Sequence, residues 1–376
     1  MSSRVAVTVL AAGVAASAAL GEFIPFLASV SAEFSLSLGS VGWLSSAITL
    51  VAGLTCLPLG IWMARRRLRG LFAAALVVLG AAGLGTVFAV DPAGLFALRV
   101  VQAVGYAVVV VAGPGLLTRL LEGGARQAAL ALWGLCVPAG LTLASTVAAL
   151  VGTAGWRAEV IVVGGLTLVV AGWAATMPSD VRPRRHGQGG DRPAGPRGAG
   201  WAVAALAAGF AMIALVGVSL VTVLPAYLTE EAGLAGPHVS LLTGLVSASS
   251  AAGSLVAGAS LRAGVRPGRL VAAALLMAPL TAGVFLGMPV TVVVSCAAVV
   301  LGLNGLAVSA MFAVAGGRPA WWVGAVTQAG SLGTLLGPPL YAGVVETSGW
   351  GAAIVVTAAI VCGGVGCAAT AIRRSR

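Results

Sequence analysis

Two charged side chains stand inside long apolar runs of this chain: Glu22, in VAASAALGEFIPF, and Arg99, in GLFALRVVQAVGY. A charge placed in hydrocarbon is costly and is kept where it meets a partner or a wet cavity. Burial disfavours the charged form of a carboxyl, and a nearby guanidinium favours it. An acid and a base at one depth can therefore exchange a proton with the medium whenever a substrate or a conformational change separates them. Glu22 is thus the candidate proton-coupling carboxylate and Arg99 its partner. The same pair can also be a permanent structural ion pair, or Glu22 can reach the outer headgroups. Four neutral polar residues deep in apolar segments, Gln102, Tyr106, Asn304 and Gln328, are candidates for contacting a substrate. The three amides can equally serve as interhelical glue worth about 1 kcal/mol each. Tyr106, with Trp133 and Phe312, can line a hydrophobic pocket or simply pack. Phe23 and Phe26 lie one turn apart around Pro25, which is expected to kink or loosen the helix beside Glu22.

Other chemistries lack their residues. All 21 basic residues are arginine. Without lysine there is no Walker A phosphate loop and no Schiff base to retinal or pyridoxal phosphate. The five cysteines, Cys56, Cys136, Cys296, Cys362 and Cys367, all fall in apolar runs without zinc spacing. They read as small buried hydrophobes, and an odd number makes no disulfide framework. His186 and His238 lie in polar connections, which argues against a metal site. No His-Glu metal motif, Gly-x-Ser-x-Gly elbow or intrahelical Asp pair occurs, so neither an enzyme nor a cofactor is expected.

The elements that must position Glu22 and Arg99 are membrane-spanning helices. Residues are 59% hydrophobic and 8% charged, and mean hydropathy is +1.07. The apolar blocks run to about 20 residues or more, enough to cross about 30 Å of hydrocarbon as helix, without the alternation of membrane strands. Twelve segments follow: 5–30, 40–63, 71–90, 93–117, 127–152, 158–177, 201–228, 239–261, 270–288, 290–313, 320–345 and 350–372. Between the sixth and seventh, residues 178–200 are rich in Pro, Gly and Arg and read as a flexible cytoplasmic linker. This divides the chain into helical bundles 1–177 and 201–376. The apolar run from Val5 to Gly21 exceeds a signal-peptide core of about 7–15 residues, so it reads as a span.

Arginine marks the cytoplasmic side. With both termini inside, 19 of the 21 arginines face the cytoplasm, Arg157 lies outside and Arg99 within a helix. Glu33, Asp91, Glu159, Glu230, Glu231 and Glu346 then fall outside. The high pI is topology, not nucleic-acid binding. In this arrangement Glu22 lies roughly 12 Å and Arg99 roughly 9 Å below the same surface, at 1.5 Å per residue. Trp156 and Trp350 open the sixth and twelfth helices and read as interfacial anchors.

The halves repeat one another. Ala154-Gly155-Trp156 matches Ser348-Gly349-Trp350, and GLCVPAG from Gly134 to Gly140 has a counterpart in GSLGTLLGPP from Gly330 to Pro339. Short arginine connections follow the second (Arg65 to Arg69) and eighth (Arg262 to Arg269) helices. Such repetition indicates two parallel bundles around a midplane site. Gly333, Gly337, Pro338 and their neighbours in the eleventh helix suit either a gate or tight packing.

The arrangement resembles the major facilitator superfamily over nearly the whole chain. The family has Gly-x-x-x-Asp-Arg-x-Gly-Arg-Arg after its second helix. Here Gly60, Arg65 and Arg69 match, while Ala64 replaces the Asp and Arg67 the second Gly. That Asp helps latch the family's cytoplasmic gate, so the resemblance implies a latch that is altered or carried elsewhere. Arg99, Gln102 and Gly105 resemble the family's Arg-x-x-Gln-Gly-x-Gly, with Ala103 replacing the first Gly. Gly134 and Pro138-Ala139-Gly140 resemble part of a motif of proton-drug antiporters. The resemblance implies an all-α fold of two six-helix bundles and secondary active transport of a small solute by alternating access. The expected partners are a small-molecule substrate, protons and membrane lipids, in a monomer of the cell membrane. Proton-coupled efflux of a moderately hydrophobic compound leads. Uptake of a small organic anion held by Arg99, and a non-transporting receptor on the same scaffold, are the alternatives.

Overall fold

The computed structural model describes residues 2–122, 125, 129–130, 132–152, 155–178, 199–234, 236–316 and 320–374. Within them the secondary structure is helical, the only arrangement besides a closed barrel that satisfies every backbone amide in lipid. Ten spans are long and apolar enough to cross a membrane: Arg4–Phe34, Leu38–Met63, Leu68–Thr86, Pro92–Leu120, Gly155–Ala175, Gly200–Glu230, Gly236–Arg262, Pro267–Phe285, Val290–Ala315 and Trp350–Arg373. Two further helices complete the set, Cys136–Val151 as the fifth span and Ala320–Ser348 as the eleventh. The protein is a multi-pass membrane protein of two six-helix halves.

The fifth span departs from expectation. Instead of one helix over 127–152, a turn at Gly134 and Leu135 precedes a helix of 16 residues. The described residues 129–130 and 132–133 before the turn are helical as well, so the turn interrupts the span. Of the anticipated linker, residues 179–198 lie outside the described residues, as do Ala154, Arg126 and Arg318.

Small residues bring the helices together where no water-driven force is available. In the first half the backbone of the first span at Ser17 and Ala18 sits against Gly140 of the fifth, leaving no room for a Cβ. In the second half Gly333 abuts the Ala211 carbonyl, and a Cβ at Gly337 would lie 2.5 Å from Ser219 Oγ. Cys56 and Cys136 are buried, whereas Cys362 is exposed, facing away from the helix packing. All five cysteines are free.

The halves meet along the second and eleventh spans and along the fifth and eighth. A Cβ at Gly42 would lie 2.9 Å from the Pro338 carbonyl oxygen, and one at Gly244 would lie 3.1 Å from Ser145 Cβ. Two ends of the molecule can be told apart by charge. One carries Glu33, Asp91 and Glu346 (the acidic end), the other Arg65 to Arg69 and Arg119 (the arginine end). Glu346 of the eleventh span accepts from the Gly39 amide at 3.2 Å across the halves, at the acidic end.

Candidate functional site

Arg99 lies on the fourth span, two turns into the helix that Asp91 caps through the Gly94 amide at 2.7 Å. Its guanidinium is fully buried, and its three nitrogens reach six acceptors. Two are made available by the break in the first span. The helix Ser2–Gly21 gives way to a 3-10 turn at Ile24–Phe26, because Pro25 has no amide to continue the ladder. The carbonyls of Ala19 and Leu20, in the last turn of that helix where orphan acceptors collect, accept from Nη1 at 2.8 Å and Nη2 at 3.4 Å. The second span also breaks, passing from Leu38–Ser46 into a 3-10 turn at Ala47–Thr49. There the carbonyls of Leu44 and Ser45 accept from Nε and Nη2, both at 3.2 Å. Nη1 also donates to Glu22 Oε1 and to Gln102 Oε1, both at 3.0 Å. Phe23 lies under the guanidinium carbon, 4.8 Å from ring centroid to Cζ.

Glu22 and Gln102 complete the cluster. Gln102 Nε2 donates to Glu22 Oε1 at 2.9 Å, so the oxygen that holds Arg99 also holds the amide. The other oxygen, Oε2, is buried without a hydrogen-bond partner. Glu22 is 0% exposed and does not reach the headgroups. A buried pair survives desolvation only with good geometry and further hydrogen bonds. Arg99 has both. The cluster therefore pairs Glu22 with Arg99 as their common depth predicts, takes in Gln102, which the sequence offers as a substrate contact, and makes Arg99 a clamp on two broken helices.

A second buried acid was not expected there. The charge pattern predicts Glu159 outside with the surface acids, yet it is 0% exposed and neither carboxylate oxygen has a hydrogen-bond partner. The helix begins at Gly155, three residues before the predicted start. Trp156, Glu159, Val160, Val163, Gly164 and Thr167 then form one buried stripe at helical spacing, and that stripe was the available signal. The helix start is fixed by a clasp. Glu33 accepts from Trp156 Nε1 at 2.8 Å and from Arg157 Nη2 at 2.6 Å, and Arg157 Nε donates to the Val87 carbonyl at 3.2 Å. Trp156 is 3% exposed and packs on Phe23 and Phe34, so it is a core residue and not an interfacial anchor. Trp350, its counterpart, is half-buried and stacks on Phe285 at 5.6 Å.

The remaining candidates scatter. Tyr106 is buried in the hydrophobic core. Asn304 donates to the Ile213 carbonyl at 2.6 Å, tying the tenth span to the seventh. Gln328 crosses between halves. Its Oε1 accepts from the Leu57 amide at 2.9 Å and its Nε2 donates to the Leu54 carbonyl at 3.4 Å. That carbonyl is free because Pro58, four residues on, cannot donate to it. Asn304 and Gln328 thus spend polar groups on helix backbones. Phe312 packs on Phe210 at 6.4 Å, and Trp133 fills the space beside Gly113.

At the arginine end, Arg65 is exposed and Arg69 half-buried. Arg119 of the fourth span donates to the carbonyls of Arg66 at 2.8 Å, Ala64 at 2.9 Å and Met63 at 3.2 Å. It closes the end of the second span where the sequence lacks an acid. A Cβ at Gly60 would meet only Val111, at 3.7 Å. Gly134 is exposed in the turn, whereas Pro138 is buried in the helix. Gly333 and Gly337 face the seventh span, and Pro338 faces Gly42 of the other half. Among the described residues no His, Cys, Asp and Glu cluster has the makings of a metal site.

A sequence profile described as Major Facilitator Superfamily matches residues 6–320. No curated protein sequence matches the chain. The fold is similar to a bacterial homologue of the human lysosomal transporter Spinster, inward-facing and occupied, with TM-score 0.77 at 16% identity. That match covers 99% of this chain and 95% of the other. It is similar as well to the human organic anion transporter MFSD10 (TETRAN), with TM-score 0.75 at 14% identity, covering 98% of this chain and 99% of the other.

Proposed function

The chain belongs to the Major Facilitator Superfamily and is a membrane transporter, and on that premise we propose that it exports a moderately hydrophobic organic compound in exchange for protons. The observation that supports proton coupling is the asymmetry of Glu22: Oε1 is held by Arg99 and Gln102, while Oε2 is buried with no partner. A carboxyl so placed has an oxygen ready to take a proton once rocking of the halves weakens its hold on Arg99. Hydrophobic cargo fits the neutral residues. Asn304, Gln328 and Gln102 have their amides engaged by the protein, and Tyr106 sits in apolar surroundings. Uptake of an organic anion by Arg99 finds less support, since all three guanidinium nitrogens are committed to protein acceptors.

In this reading the arginine end faces the cytoplasm of a cell membrane, following the bias of arginine towards that side. Bundles 1–177 and 201–376 rock about the contacts of the second and eleventh spans. Gly60, Arg65, Arg69, Gly134, Pro138 and Pro338 lie along the hinge and gate elements, while Gly333 and Gly337 pack the eleventh span on the seventh. The test has two stages. A thermal-shift screen of purified protein with lipophilic cations, neutral antibiotics, sugars and small organic anions finds the ligand class, since binding to the folded state raises its stability. Proteoliposomes then measure flux of the hit with and without a proton gradient. Glu22→Gln is expected to keep binding and abolish gradient-driven flux. Full gradient-driven flux in that variant overturns proton coupling through Glu22, and hits confined to anions overturn the choice of cargo.

A further inference from the structure

We infer that Glu159 is a second proton site, holding a proton on its own carboxyl while Glu22 stays ionised against Arg99, and passing that proton to Glu22 Oε2. The inference deepens the proton-coupled reading in its purpose, but the protonation itself stands on geometry and charge.

The charges around Glu159 can be taken element by element. The sixth span packs against the third, the first and the fifth, and touches the short helix Leu27–Phe34. The third span contributes only Arg69, at its far end. The fifth contributes Cys136, also at its far end. Glu33, on the short helix, is joined to Arg157 of the sixth span itself at 2.6 Å, and both are more than a third exposed. The first span contributes Arg4, at its far end, and Glu22, the other fully buried acid on an element packed against the sixth. Beyond it is Arg99, whose hydrogen bonds go to Glu22, Gln102 and four carbonyls. The buried charges on these packed helices are thus two carboxyls and one guanidinium, and the guanidinium reaches only Glu22. With both ionised the site carries a net negative charge in hydrocarbon, and one carboxylate lacks any donor. A single proton removes both penalties, because like charges that share a site cannot both ionise cheaply. It belongs on the carboxyl that Arg99 does not reach.

The register of the third span brings the two acids to one level. The third and sixth spans run antiparallel. They cross at Gly80 and Gly164, where a Cβ on Gly80 would lie 3.0 Å from the Gly164 carbonyl oxygen. They meet again where Arg157 bonds the Val87 carbonyl. Glu159 falls between those contacts, beside the turn containing Gly83 and Thr86. A Cβ at Gly83 would lie 2.8 Å from Gln102 Nε2 and 4.0 Å from Glu22 Oε2. The unpartnered oxygen of Glu22 therefore looks towards the helix that Glu159 lies against. In the transfer, the O–H bond of Glu159 breaks, an O–H forms at Glu22 Oε2, and Glu159 is left as the carboxylate. The net charge of the three groups is unchanged, and the proton is replaced from the medium.

Infrared spectroscopy of the purified protein tests this without a substrate. A protonated carboxylic acid has a carbonyl stretch resolved from amide and carboxylate bands, and it shifts in D2O. At neutral pH the wild type is expected to show this band and Glu159→Gln to lose it. Glu159→Asp, which keeps the acid, is expected to show the band at a moved frequency and serves if the Gln variant fails to fold. A band unchanged in both Glu159 variants, or no band in the wild type, overturns the inference. Loss of the band in Glu159→Gln together with full gradient-driven flux in Glu22→Gln would sink the coupling role of Glu22 and leave Glu159 as a proton site.

Discussion

Arg99 holds Glu22 by one oxygen: Nη1 lies 3.0 Å from Oε1, and Oε2 points away, buried and unbonded. The remaining hydrogen bonds of the guanidinium go to Gln102 and to carbonyls where the helices of the first two spans break. The pair is therefore both the charge centre of the first half and its mechanical knot. Protonation of Glu22 would loosen one strand of that knot without untying the others, which lets a proton change the packing while the half stays folded.

Removing Arg99 should be far worse than neutralising Glu22. Arg99→Ala strands Glu22 and four backbone carbonyls in a dry site, and breaking a buried pair costs about 3–5 kcal/mol. Glu22→Gln keeps the carbonyl bonds and removes only the charge. Thermal unfolding in detergent should show a deep loss for Arg99→Ala and a small one for Glu22→Gln. The double variant should recover part of the loss, because its uncompensated carboxylate is gone. Equal destabilisation by the two single changes would contradict the clamp.

Gln328 is expected to govern the equilibrium between conformers and not insertion. Its amide bridges the halves by repairing the backbone at Pro58. Each such bond in a membrane is worth about 0.6–1 kcal/mol, so losing both in Gln328→Leu should shift the populations about eight- to thirtyfold. Spin-label distances between the arginine ends of the second and eleventh spans would broaden or lengthen. An unchanged distance distribution would show that Gln328 does not hold the halves together.

Most of the fold was legible because lipid imposes one rule: an apolar run of sufficient length must be helix. The Glu22–Arg99 partnership was legible too, since two charges at one depth have few other places to go. Gln102, read as a substrate contact, instead bonds both members of the pair. Glu159 was hidden by a boundary. With the sixth helix started at 158 it fell in the first turn, whereas from Gly155 it lies on the stripe with Trp156 and Val163. The acceptors of Arg99 were illegible for another reason. The 3-10 turn Ala47–Thr49 contains neither proline nor glycine, so nothing in its sequence announces that Leu44 and Ser45 have carbonyls to give. Asn304 and Gln328 misled because an amide that binds a substrate and one that binds a neighbouring backbone are the same residue in a sequence.

The end of the second span should depend on Arg119 more than on the arginines beside it. Arg119 reaches three carbonyls there, while Arg65 is exposed. Arg119→Ala should lower the unfolding midpoint, with each carbonyl bond contributing about 1 kcal/mol. Arg65→Ala should leave the midpoint unchanged. A matching loss in both variants would mean that net charge at this end, and not the carbonyl bonds, sets stability.

Gly333 separates packing from gating. Its backbone lies against the Ala211 carbonyl, with Phe210 over neighbouring Gly330 and Leu215 and Ser219 over Gly337. This glycine face packs within the second half, while Pro338, at the acidic-end side of the same helix, meets Gly42 of the other half. A Cβ at Gly333 meets backbone, which cannot swing aside as a side chain can, so the helices must separate and lose contact along the whole face. Gly333→Ala should already cost a few kcal/mol of stability, of the order seen for overpacked cores. Gly333→Leu should lose folded protein and transport together. Gly42→Ala, whose clash is across the halves, should instead spare thermal stability and slow cycling. Parallel measurements of unfolding midpoint and of flux per folded molecule distinguish the two. If Gly333→Ala kept its midpoint and lost flux, the glycine face would be part of the gate.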